Sequence, residues 1–212
     1  MIRYPSNRTY LDKDGVSQNI PANAKFLLPG SATLRSGWYV VCGNIILPER
    51  PTVTGDVHLV LIDGCKLDAQ KGIGVSDSNK LTIYAQSNGS DMGELTATGE
   101  RNQAGIGGGP DQAGGTITIN GGTITAIEDA LDIYTSAQNT TVTINGGTMK
   151  SQSYSTLAIR GKGTVVNITG GLIENDGSNT AFVSSGSGST DPESIVFNIC
   201  LLYTSDAADE LD

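Results

Sequence analysis

Three carboxylates, Glu128, Asp129 and Asp132, stand close together in the chain, and two cations follow in Arg160-Gly161-Lys162. Carboxylates set against one another or against a cation are what cleavage of a glycosidic bond requires: one group protonates the leaving oxygen while a second activates water or stabilises the sugar cation. Tyr134 and Phe182 add rings to the same stretch, and a ring can stack on the apolar face of a sugar while ionic groups bond its hydroxyls. The single histidine, His58, lies far upstream in Val57-His58-Leu59. Nothing in the spacing fixes two carboxyl groups on either side of one bond, and the plain alternative for Arg160 and Lys162 is a solvated pair. The chemistry these residues favour is therefore binding rather than catalysis, with Asp132, Tyr134, Arg160 and Phe182 as the candidate contacts.

Other chemistry-bearing patterns reduce to structure. The run Gly105 to Gly109 lacks the Lys-Ser/Thr of a phosphate loop and a following helix, so it reads as a corner. Asp63, Asp68 and Asp77 sit in turns without the spacing of a calcium loop; they read as turn residues, with opportunistic Ca2+ as the alternative and no other cofactor indicated. Cys42 and Cys65 form no CxxC pair. Cys65 falls at an inward position beside Leu67, which favours a buried free thiol, and a disulfide between the two stays open.

The elements that must position the candidate contacts are written in a repeat. Thr116 to Thr125 reads TITINGGTIT, and its pattern returns as TVTINGGTMK from Thr141 and as VVNITGGLIE from Val165. Taking Ile119, Ile144 and Ile168 as equivalent gives steps of 25 (144 − 119) and 24 (168 − 144) residues, a period of stacked arrays. Each copy alternates apolar and polar residues, turns at Gly-Gly and enters a second short strand. A step of this length holding several strands and no amphipathic helix predicts an all-β chain, a right-handed parallel β-helix with coils of about 24 residues. Thr118 and Thr143 are expected to stack outward. Asn120 and Asn145 precede the Gly-Gly corners, where Asn and Gly tolerate positive φ, and an Asn stack is expected.

A further alternation follows each Gly-Gly motif. Leu131 and Ile133, Leu157 and Ile159, and Ala181 and Val183 are expected to point inward, with Ala104 and Ile106 before them. The outward columns are then Gly105, Asp132, Ala158 and Phe182, and Gly107, Tyr134, Arg160 and Ser184. Upstream, Leu59, Leu61, Cys65, Leu67, Ile73 and Val75, then Leu81, Ile83, Leu95 and Ala97, predict two looser coils with a longer loop from Gln86 to Glu94. The apolar run Trp38 to Leu47 is expected to begin the stack. Residues 1–36 read as a lead-in, a cap over an exposed edge, or a piece of a preceding domain. Residues 37–199 are the predicted helix.

Residues 200–212 break the repeat in mid-strand, and the string from Cys200 to Glu210 resembles the conceptual translation of a transposase sequencing adapter. They are read as a non-native tail, with the true chain continuing beyond Ile199 into further domains. Without its four acidic residues the formal charge of −9 becomes −5 (−9 + 4). That mild acidity argues against nucleic acid, and no run of 18 apolar residues offers a membrane span. Nothing at Met1 looks like a signal peptide, which does not place the chain in the cytosol.

The runs GWYVVCGN (37–44), DGCKL (63–67), KGIGV (71–75), LTIYAQ (81–86), AGIGGG (104–109) and ITINGG (117–122) resemble the β-helical repeat regions of large surface proteins of gut Firmicutes. More distantly they resemble right-handed β-helix carbohydrate-binding domains. The resemblance covers about Gly37 to Ile199 and rests on corner and core residues. It implies a secreted or wall-attached multidomain protein with no catalytic residues to carry over, and polysaccharide or a surface glycan as partner. The function expected is a non-catalytic module that binds carbohydrate or mediates adhesion. A purely structural stalk is one alternative and a polysaccharide lyase the other. Arg160-Gly161-Lys162 resembles the R-x-K of polygalacturonases, but the Asp-Asp pair and Gly-His-Gly of that pattern are missing.

Overall fold

Short runs of alternating apolar and polar residues, broken by Gly-rich corners, give short strands and little else. The structure, a computed structural model, describes residues 8–99, 105–108, 112, 115–126, 131–133, 141–152, 156–159, 164–175, 182–184 and 195–200. The described residues are all-β, with 21 strands and no helix. In chain order these are β1 (Thr9–Leu11), β2 (Ser17–Asn19), β3 (Lys25–Phe26), β4 (Thr33–Val41), β5 (Asn44–Leu47), β6 (Thr52–Leu61) and β7 (Lys66–Ala69). There follow β8 (Ile73–Gly74), β9 (Lys80–Ala85), β10 (Glu94–Ala97), β11 (Ile106–Gly107), β12 (Thr116–Ile119), β13 (Thr123–Ala126) and β14 (Leu131–Ile133). The last are β15 (Thr141–Ile144), β16 (Thr148–Ser151), β17 (Leu157–Ile159), β18 (Thr164–Ile168), β19 (Leu172–Asn175), β20 (Phe182–Ser184) and β21 (Ile195–Ile199).

Apart from the antiparallel hairpin β1–β2, every pairing is parallel, and the strands form three ladders. The first runs β3-β4-β6-β9-β12-β15-β18-β21 and the second β5-β7-β10-β13-β16-β19. The third runs from Thr52 at the start of β6 through β8, β11, β14 and β17 to β20. The chain visits the ladders in a fixed order, so β12, β13 and β14 form one rung and β15, β16 and β17 the next. This arrangement of parallel sheets is consistent with a β-solenoid. β4 and β6 each serve two ladders, and both bend where Gly37 (φ 134°) and Gly55 (φ 79°) take backbone angles that other residues rarely adopt.

Equivalent apolar residues lie one above another. Ile119 pairs with Ile83 on one side and Ile144 on the other, and Ile144 with Ile168. All four, with Leu59 below them, are buried in one continuous core. Burying an aliphatic side chain of this size stabilises by about 1.5–3 kcal/mol, and the column repeats that gain at each rung. The upstream residues Leu61, Leu67, Ile73, Val75, Leu81, Leu95 and Ala97 join the same core.

The Gly-Gly corners divide two tasks between their glycines. Gly122, Gly147 and Gly171, the second of each pair, adopt φ of 94°, 84° and 88°. The first takes the close approach of the rung beneath: a Cβ on Gly146 would lie 2.9 Å from the Asn120 carbonyl oxygen. Asn120 and Asn145 therefore do not supply the positive φ, which among non-glycine described residues is found only at Asp77 (57°). Their side chains instead build the expected stack. Asn145 Nδ2 donates to Asn120 Oδ1 at 2.7 Å and Thr169 Oγ1 donates to Asn145 Oδ1 at 2.8 Å.

Parallel pairing and the core reach back before Trp38, with Thr33 to Arg35 paired to β6 and Leu27 and Leu34 buried. The lead-in adds β3 beside β4 on the first ladder. Its remainder lies across the outer face of that ladder, where Ile20 packs with Val40, Val60, Ile62 and Tyr84 in a second buried cluster.

Candidate functional site

Two places on the outer surface carry polar or aromatic groups that could meet a ligand. The first is the column of the third ladder that holds Asp132. Parallel pairing sets Gly74 beside Gly107, Gly107 beside Asp132, Asp132 beside Ala158 and Ala158 beside Val183. Two details differ from the sequence alignment. Gly107, not Gly105, is Asp132's neighbour, because Ile106 and Gly107 form a strand within the Gly-rich run rather than a corner. Phe182 is in register with Leu157, one position from the column of Asp132, so the last rung is offset by one residue from the alignment. Tyr134 and Arg160, the other two candidate contacts, lie outside the described residues, as do Glu128, Asp129 and Lys162.

A cation that sequence reasoning missed lies over the start of this column. Arg50 donates from one guanidinium nitrogen to the Lys71 carbonyl oxygen and from the other to the Gly107 carbonyl oxygen, both at 2.8 Å. It crosses the rung of Gly74, where a Cβ would come within 3.4 Å of Arg50 Nε. The missing side chain at Gly74 lets the guanidinium lie flat and tie three successive rungs. The sequence signal was there in principle: an arginine directly before Pro51, with glycines at the facing positions of the next two rungs.

The second place is an aromatic cluster on the first ladder. Register puts Trp38 beside His58 and His58 beside Thr82. The Trp38 and His58 rings stack with centroids 4.3 Å apart and planes 10° from parallel. Tyr84 stacks on Trp38 at 5.2 Å, and Tyr10 meets both Trp38 at 5.0 Å and Tyr84 edge-on at 4.7 Å. His58 Nδ1 is hydrogen-bonded to the Tyr84 hydroxyl at 3.1 Å, and Nε2 lies 3.6 Å from Asp56 Oδ1. Burial holds His58 below its ordinary pKa, against the opposing pull of Asp56, and pushes the Tyr84 phenol up to about 12. A phenol so raised stays protonated at neutral pH, and the rings are occupied by one another. The cluster is built to hold the lead-in on the ladder.

No family model, curated protein or solved structure matches this chain. Function is therefore argued from the surface itself.

Elsewhere several outward side chains are engaged with each other. Lys66 pairs with Glu94 at 3.0 Å and Lys150 with Glu174 at 2.7 Å across adjacent rungs of the second ladder. Asn198 Nδ2 donates to Asn167 Oδ1 at 2.8 Å on the first. Thr82, Thr118 and Thr143 stand in one column, as the repeat predicts. Asp77 and Asp68 occupy a turn and a strand of the second ladder, and Asp63 a corner where its Oδ1 is buried without a hydrogen-bond partner. Among the described residues no three Asp, Glu, His or Cys side chains gather as metal ligands, and no helix is long and apolar enough to cross a membrane. Cys65 is buried and its thiol is pushed up to about 12 by that burial; Cys42 is partly exposed, and both are free thiols.

Proposed function

We propose that this chain is a non-catalytic, rod-shaped module of a bacterial surface protein, secreted or wall-attached, that spaces or presents other parts of the protein. In this reading the three ladders are the faces of a right-handed parallel β-helix, and the steps of 25 and 24 residues between Ile119, Ile144 and Ile168 are its coil length. The observation that carries the proposal is how the outward side chains are used. Asn120, Asn145 and Thr169, Asn167 and Asn198, Lys66 and Glu94, and Lys150 and Glu174 each bond the rung above or below. Side chains committed to cohesion along the stack serve a spacer. Eight strands of the first ladder, at about 4.8 Å per step, give a rod about 34 Å long.

A second reading, carbohydrate contact or adhesion, is favoured by the third ladder. There Asp132 and Ala158 continue a column of small residues whose start, at Gly74 and Gly107, lies under the Arg50 guanidinium. Small residues admit a flat polymer, and Arg with a carboxylate suits hydroxyl-rich or acidic sugars. Tyr134 and Arg160 would extend that contact as the sequence proposes. Binding of the full chain to an array of plant, microbial and host glycans separates the two. Retention that is lost in Asp132→Ala and Arg160→Ala supports the glycan reading. No retention, together with an elongated solution scattering profile, supports the spacer. Release of unsaturated or reducing sugar from any of the glycans would overturn both.

A further inference from the structure

Trp38 is the chain's single tryptophan and His58 its single histidine, and the two stack face to face where the lead-in meets the ladder. Tyr10, in the β1–β2 hairpin, closes over them, and Ile20 buries Val40, Val60 and Ile62 beside it. The hold of the lead-in on the outer face thus lies one ring away from the only side chain that titrates near neutrality. The ionisable groups around His58 are few. Its own strand β6 supplies Asp56, 3.6 Å from Nε2 and about half exposed. Strand β9 supplies the Tyr84 hydroxyl at Nδ1, and Lys80, which is Asp56's partner in the ladder. β4 presents only the uncharged Trp38 ring, and the hairpin presents Tyr10, with Asp12 behind it.

We propose that residues 8–24 are a clasp that loosens in mildly acidic surroundings, with protonation of His58 as the trigger. The neutral imidazole fits its place, stacked on an indole and bonded to a phenol. An imidazolium there must give up water on the stacked face, and one half-exposed carboxylate at 3.6 Å compensates only in part. The direction of the shift agrees, since burial outweighs Asp56 and holds His58 below its ordinary value of about 6.5. Because the folded value lies below the unfolded one, the clasp's stability is complete above about pH 6.5. It falls as the pH drops from there to the folded value and then levels off. Loosening would uncover Trp38, Val40, Val60 and Tyr84, a contiguous apolar strip on the outer face of the first ladder.

The test uses the full chain. Hydrogen exchange of the amides of 9–20, corrected for the intrinsic pH dependence, is compared at about pH 7.5 and about pH 5. The expected result is severalfold faster opening at the lower pH in the natural chain, with β12 and β15 unchanged and no acceleration in His58→Gln. Equal acceleration in His58→Gln, or none in the natural chain, overturns the proposal. Should His58→Gln fail to fold, Asp56→Asn keeps it testable. Trp38 emission reports the stacked imidazole directly, and removing the carboxylate should move its titration midpoint to lower pH. A midpoint that stays put overturns the trigger.

Discussion

The first ladder treats its outer surface in two opposite ways. On β4, β6 and β9 the outward positions are Trp38, Val40, His58, Val60 and Tyr84, and the lead-in covers them. On β12, β15 and β18 the outward positions are Thr118, Thr143 and Asn167, and they face solvent in register. The inward rows hardly differ: Leu59 and Ile83 at one end, Ile119 and Ile144 at the other, all buried. The core therefore does not distinguish the two regions. What does is whether a second layer of chain is laid over the outer face. The repeat region holds itself by copying one rung onto the next, whereas the first rungs are held by contacts made once.

The two regions should therefore fail at different places. The largest effect is expected at a corner of the repeat. Gly147→Ala places a Cβ 2.6 Å from the Gly122 carbonyl oxygen on backbone already at φ 84°, and neither the rung nor the angle can give cheaply. A loss of about 3 kcal/mol or more in urea unfolding is expected. Gly43→Ala has a similar φ of 75° but open space around the new Cβ, and should lose only about 1 kcal/mol. Equal losses would break the comparison.

Next come the single side-chain bonds. Asn145→Ala removes the middle of a three-member stack and should cost about 1–2 kcal/mol, spread over two rungs. Tyr84→Phe deletes one hydroxyl bonded to His58 and should cost about 1 kcal/mol, read as faster exchange confined to the lead-in. The smallest effect is expected at Lys66→Ala, whose partner Glu94 is half exposed. Its melting should match the parent within about 0.5 kcal/mol and be insensitive to salt.

The repeat half could be read from sequence because its register is written twice, in the apolar alternation and in Asn-Gly-Gly. Ile119, Ile144 and Ile168 can be aligned without coordinates, and the Asn120–Asn145 stack follows from that alignment. Phe182 could not be placed by the same means. Between Ile159 and Phe182 the corner sequence changes and nothing in it marks the extra residue that puts Phe182 beside Leu157. The aromatic cluster was hidden for another reason. Trp38, His58 and Tyr84 are brought together by register across β4, β6 and β9, where steps are irregular, and Tyr10 arrives from a segment outside the repeat. Arg50 needed the empty positions at Gly74 and Gly107 to be recognised as facing one another.

The Asn-Gly-Gly corner has a bearing on how such a chain can change length. Asn145 accepts from the rung above and donates to the rung below, so excising residues 145–168 would bring Thr169 onto Asn120 with donor and acceptor still matched. Duplicating them would be equally neutral. Gene copies gained or lost in whole rungs could lengthen or shorten the ladders while keeping this bond pattern.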